Sequence, residues 1–169
     1  MAKTLIAYFS HAGQNYSHGK IRDLLVGNTE VVAKKIHALI DSDMFYIDTV
    51  QKYPDDHMKK IEMAKQEYNE DARPELTARV ENMTEYDTVI VAFPNWWTTM
   101  PMAMFTFLES YDMAGKTIIP FATSGSSGMG KANEKLLVSC TGAKLLDGKV
   151  FKSNVSKAEM NQWVQSFGI

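Results

Sequence analysis

Chemistry in this sequence is concentrated in three short stretches. "AFPNWWTTMP" (92–101) sets the adjacent Trp96 and Trp97 in what reads as a loop between an apolar strand and an apolar helix. Neighbours in an irregular loop do not easily both enter one core. Offered to a flat ring system, either indole supplies stacking area at little entropic cost; the alternative use is a surface for a partner protein. "SHAG" (10–13) and, farther on, "GNT" (27–29) contribute Ser10, His11, Asn28 and Thr29, that is hydroxyls, an amide and free backbone N–H groups at a helix start. Such a start suits a phosphate, helped by the positive end of the helix dipole. Asn and Thr suit plain helix capping equally well. "TSGSSGMG" (123–130) contains enough glycine for backbone to approach a flat ligand closely, or simply to turn.

Other reactive side chains form no set. His11, His18, His37 and His57 show no metal-ligand spacing with one another or with Cys140, so no metal is expected. The G-x-S-x-G, G-x-x-x-x-G-K-[ST] and G-x-G-x-x-G patterns are missing. His11 abuts the phosphate-type loop and is the histidine to test; an ordinary loop histidine is the alternative. Cys140 closes a helical stretch, "EKLLVSC", and is expected to be buried and inert. As the single cysteine it excludes an intramolecular disulfide, which fits a reducing compartment. No catalytic residue can be named.

The elements that position these stretches alternate along the chain. Apolar runs at 4–9, 44–48, 88–93 and 117–123 read as strands, with a short or bulged strand within 143–151. Helical patterns span 29–40, 55–71, 101–111, 131–140 and 156–167. Asp55–Lys59 and Asp56–Lys60 stand at supportive i,i+4 spacing, and Ser156 with Glu159 makes a capping box. Pro120 is a blemish in the fourth strand, tolerable where one backbone donor is not needed. Five strand–helix units predict an α/β fold, a three-layer sandwich with a five-stranded parallel sheet, in one domain over 1–169. In the order 2-1-3-4-5 the first, third and fourth strands are neighbours. The three unusual loops then line one crevice at their carboxyl ends, where such sheets bind ligands. Residues 13–26 break the rhythm as an unusually long connection, of the kind that is functional or mobile.

Composition narrows the partners. With 169 residues, 45% hydrophobic and 22% charged, the chain is long and apolar enough for a real core. A net charge of −2 provides no field to draw in nucleic acid or an anionic membrane. "LIAYF" is too short for a signal peptide and no run reaches membrane-spanning length. A cytoplasmic protein is expected.

"LIAYFS", then "GNTEVVAKKI", then "FPNWWTTMPMAMFTFLESYDMAGKTIIPFATSGSSGMG" resemble the flavodoxin-like FMN-binding proteins of bacteria, in particular a short single-domain subgroup. The resemblance covers nearly the whole chain, in order, and is most specific in the tryptophan loop and the following helix. The family phosphate loop reads Ser-x-Thr-Gly-Asn-Thr. Ser10 matches its start and Gly27, Asn28 and Thr29 its end; Ala12 stands where the middle threonine would be, and 13–26 is inserted. The resemblance implies that Ser10, His11, Ala12, Asn28 and Thr29 surround the phosphate of FMN. It implies that Pro94, Asn95, Trp96, Trp97 and Thr98 flank the flavin ring on one side, with Thr123, Ser124, Gly125 and Gly128 on the other.

Three functions follow as expectations. One is an FMN-dependent oxidoreductase, taking electrons from NAD(P)H to a small acceptor such as a quinone. A flavodoxin-type electron carrier between proteins is the second, although carriers are strongly acidic and −2 steers weakly. The third is a non-catalytic binding module that keeps the fold. Indole stacking with no cation nearby would disfavour the anionic reduced flavin. A homodimer is an option because 101–111 is apolar on most faces.

Overall fold

The computed structural model describes residues 3–17, 19–97, 99–123 and 128–168. Its centre is a parallel sheet of β1 (Thr4–Tyr8), β4 (Asp43–Tyr46), β5 (Thr88–Pro94), β6 (Thr117–Thr123), β7 (Lys144–Leu145) and β8 (Lys149–Phe151). The order is β4-β1-β5-β6, with β7 and β8 both on the far edge of β6. Counting β7 and β8 as one interrupted strand gives the expected 2-1-3-4-5. Strands rich in branched residues with no polar face suit this position, because helices cover both sides of the sheet.

Alternate side chains feed two cores. Ile6, Tyr8, Ile90, Ala92, Ile119 and Phe121 pack against α1 (Asn28–His37) and α5 (Lys157–Gln165), whose Val32, Ile36, Met160 and Trp163 are buried. Leu5, Ala7, Val89, Val91 and Phe93 face α3 (Met102–Glu109) and α4 (Ala132–Ser139). On α3, Met102 to Phe105, Phe107 and Leu108 are all buried within the one chain. Burial within one subunit, the alternative to a homodimer for this apolar helix, accounts for these faces. Cys140 lies in the same core, and burial pushes its thiol up to about 11, so it is inert.

The break in the fifth strand has a backbone cause. The carbonyls of Lys116 and Ile118 accept from the N–H groups of Lys144 and Leu146 at 2.8 and 3.0 Å. Position 120 therefore faces the same neighbour, and Pro120 has no N–H to give. Pairing resumes only at Phe121, opposite Lys149. Gly148 passes through the gap, where a Cβ would meet Met129 and the Pro120 ring at 2.4 and 3.1 Å.

Residues 13–26 are largely an antiparallel hairpin, β2 (Gly13–Ser17) and β3 (Lys20–Leu24), rather than a structureless loop. Its first strand docks beside α2 (His57–Asn69), with the Gln14 N–H donating to the Asp55 carbonyl at 2.9 Å. Its second strand is largely exposed. The docking changes the predicted charge pairs. Asp56 caps α2 by accepting from the Lys59 N–H at 2.9 Å, and Lys60 turns inward to the hairpin. Among the described residues neither Asp55–Lys59 nor Asp56–Lys60 forms an ion pair. At α5, Ser156 Oγ accepts from the Glu159 N–H as read from the sequence, while the Glu159 carboxylate turns to Lys149 at 3.4 Å.

Candidate functional site

The loops after β1, β5 and β6 meet, as the strand order requires. Ser10 leaves β1 nearly buried, and its Oγ accepts from the Glu30 N–H in the first turn of α1 at 3.1 Å. The chain returns from the hairpin directly against this point. A Cβ on Gly27 would lie 2.2 Å from Ser10 Oγ and 2.7 Å from the His11 carbonyl. Glycine is required there by space, not by dihedral angle, since Gly27 has φ −63°. Asn28 and Thr29 then open α1, which points its N-terminal N–H groups at the junction.

Thr29 ties this loop to the next. Its buried Oγ1 lies 2.6 Å from Thr123 Oγ1 at the end of β6. The Thr123 carbonyl in turn accepts from the Asn95 N–H at 3.0 Å, and Asn95 Nδ2 donates to the Gly128 carbonyl at 2.7 Å. Ser10, Thr29, Thr123, Asn95 and Gly128 thus form one connected rim, with Pro94 at the end of β5. Ala12 is exposed beside the hairpin base. Thr98, Ser124 and Gly125 lie outside the described residues.

The tryptophans divide their work. Trp96 pairs with Thr99 through both backbone groups, at 2.9 and 3.1 Å. Its ring stands edge-on to Phe9 and Tyr53, with centroids 5.3 and 5.1 Å away, and 6.5 Å from His11. Trp97, at the tip of this tight loop, has φ +53° and remains 39% exposed. A bulky residue in the left-handed region is strained by about 1–3 kcal/mol, and such strain gathers at functional sites. Lys65 lies 5.5 Å from the Trp97 centroid.

Unmet polar groups lie in the same wall. His11 Nδ1 and Thr99 Oγ1 are buried without a partner among the described residues. Each costs about 1–3 kcal/mol unless a ligand completes it. Burial, and secondarily the charge of Lys60, lowers the His11 pKa despite the Tyr53 and Pro54 carbonyls, so the ring is neutral at physiological pH. Tyr53, Thr99 and Lys60 were missed in the sequence. Tyr53 lies in "QKYPDD" with no periodicity to mark it, and Lys60 read as an ordinary solvent-facing helix charge.

Among the described residues no group of three or more His, Cys, Asp and Glu is placed to hold a metal, and no helix is long and apolar enough to cross a membrane.

The flavodoxin family model matches residues 3–167. The chain belongs to the flavodoxin family. A protein assigned as a flavoprotein from Bacteroides eggerthii DSM 20697 superimposes with a TM-score of 0.82 at 27% identity, covering 100% of this chain and 99% of that one. A second, from Bacteroides uniformis ATCC 8492, gives 0.79 at 33% identity over 97% and 98%. A Lactobacillus acidophilus NCFM flavoprotein in complex with FMN gives 0.69 at 20% identity over 97% and 99%, a likeness of fold. The search among curated proteins returns no match.

In this flavodoxin-family chain the contact at position 27 can be tested by itself. Gly27→Ala is expected to lose about 1–3 kcal/mol of unfolding free energy in urea titration, the cost of overpacking a closed site. Gly128→Ala, with nothing within 4 Å of the added Cβ among the described residues, should stay within about 0.5 kcal/mol. Equal losses would show that the Ser10–Gly27 approach is not tight.

Proposed function

We propose that the chain is an FMN-binding flavoprotein that moves electrons from a reduced nicotinamide to a small acceptor such as a quinone. The convergence of three stretches carries this reading: a helix N-terminus beside Ser10, an aromatic wall at Trp96, and Thr123 and Gly128 after β6, joined through Thr29–Thr123 and Asn95–Gly128. The residues fit the group. A phosphate suits the N–H groups at the start of α1 with Ser10 and Thr29 beside them. A flat ring suits the space beside the Trp96 loop, with Thr123 and Gly128 on its other side. His11 Nδ1 and Thr99 Oγ1 are buried groups that a bound polar ligand could complete. FMN supplies the redox chemistry when bound; the chain's own residues bind it, orient it and exclude water.

The hairpin follows directly on Ala12, where the family threonine is missing. It carries the inserted residues away from the loop, while Asn15 Nδ2 folds back to the His11 and Gly13 carbonyls at 2.8 and 3.2 Å. That bracing keeps the 10–12 backbone in place without itself supplying a phosphate ligand. The exposed Trp97 leaves an apolar edge at which a nicotinamide or quinone ring can approach. A net charge of −2 supports the enzyme over the protein-to-protein carrier, which needs stronger steering.

Apo-protein titrated with FMN is expected to quench flavin fluorescence with micromolar or tighter affinity. Trp96→Ala should weaken this about tenfold, since an aromatic contact contributes about 0.5–1.5 kcal/mol beyond its area. Wild type that leaves the fluorescence unchanged through the micromolar range refutes the reading and leaves the binding module. Stopped-flow mixing of the loaded protein with NADH or NADPH should bleach the flavin. Bleaching by a reductase protein and by neither nicotinamide would assign the chain as a carrier.

A further inference from the structure

We propose that Lys60 is a built-in cation of the flavin site, placed to favour the reduced, more negative form of the cofactor over the oxidised form. This rests on the FMN reading above and reverses the sequence-based expectation that no cation lies nearby.

Lys60 is only 3% exposed, and no carboxylate lies within ion-pair distance of it among the described residues. Its ammonium donates to the Gln14 carbonyl and to Asn15 Oδ1, each at 2.7 Å. It also stands 6.0 Å from the centre of the Trp96 ring, where the electron-rich face attracts a cation. Burying an ammonium among neutral acceptors is costly, and a neutral donor could satisfy the same two oxygens without that cost. Burial alone pulls its pKa down, to about 8, which leaves it mostly protonated at neutral pH.

Two contacts connect the ammonium to the site. Through Asn15 it reaches the His11 carbonyl, in the loop that follows β1. Through Trp96 it backs the aromatic wall. A ligand that becomes more negative on reduction supplies the counter-charge this ammonium lacks, and it does so in a region of low polarity where charges interact strongly. A cation serving only the phosphate would strengthen oxidised and reduced FMN alike, because both carry that phosphate. A mere latch for the hairpin would need the hydrogen bonds and not the charge.

The test measures the affinity of the protein for oxidised and for photoreduced FMN, anaerobically at neutral pH. Lys60→Gln keeps a donor and removes the charge; Lys60→Met is a second neutral variant should Gln not fold. Lys60→Arg keeps the charge. The proposal expects oxidised FMN to bind the neutral variant within about threefold of wild type, the preference for reduced FMN to fall about tenfold, and Lys60→Arg to retain it. An unchanged preference overturns the proposal. So does an equal loss of both affinities, or a loss shared by the neutral and Arg variants, each of which assigns Lys60 to the phosphate or the hairpin. Wild type that binds neither form refutes the FMN reading itself, and the role of Lys60 with it.

Discussion

A chain that leaves β1 and detours through a hairpin must come back to the same point if one loop is to form there. The return is possible because Gly27 has no side chain where Ser10 Oγ and the His11 carbonyl already stand. That contact aligns the start of α1 with the end of β1, and Thr29 can then meet Thr123 across the sheet. Everything downstream depends on it: the helix N-terminus aimed at the loop, the link to β6, and the meeting of the chain after β1, β5 and β6. The insertion is tolerated because it is braced elsewhere, on α2 through Asp55, His57 and Lys60.

The site concentrates features that a fold optimised for stability alone would avoid. Trp97 holds a left-handed backbone, and among the described residues His11 Nδ1 and Thr99 Oγ1 are buried and unpaired and Lys60 is buried without a counter-ion. All four adjoin one aromatic wall. Departures also occur elsewhere, at Asp71 with φ +50° and at the buried Thr106 Oγ1 and Asn133 Oδ1, which have no partner among the described residues. Lys116, also nearly buried, likewise gives its ammonium to neutral carbonyls, those of Met83 and Tyr86, far from the carboxyl ends of the strands; the contact with Trp96 is what places Lys60 at the site. The departures beside Trp96 are the ones a ligand bound at the strand ends could complete.

Much of this was legible in the sequence because the signals were local. Branched apolar runs at 88–93 and 117–123 announced buried strands. Their spacing with helices gave the parallel order, and once the order was set the three loops had to converge. Pro120 announced a donor that was not needed, and the fifth strand is broken where that donor is missing. What stayed hidden depended on contacts distant in sequence. The hairpin at 13–24 has mixed polar strands that no periodicity marks, and its turn is set by Gly19 with φ +86°. Lys60 sits four residues from Asp56, so sequence alone pairs them; only the docked hairpin reveals that Asp56 caps the helix while Lys60 faces inward. Helix ends shifted by a few residues where caps, not composition, decide them.

The central claim is spatial: one crevice at the carboxyl ends of β1, β5 and β6 receives a phosphorylated flat ring. A crystal structure of the protein grown with FMN tests it most directly. The account predicts the phosphate at the start of α1 beside Ser10 and Gly27, with the ring against the Trp96 loop and its far side towards residues 123–128. A crevice occupied by the indoles of the chain itself, with FMN absent or bound on another face, would contradict it.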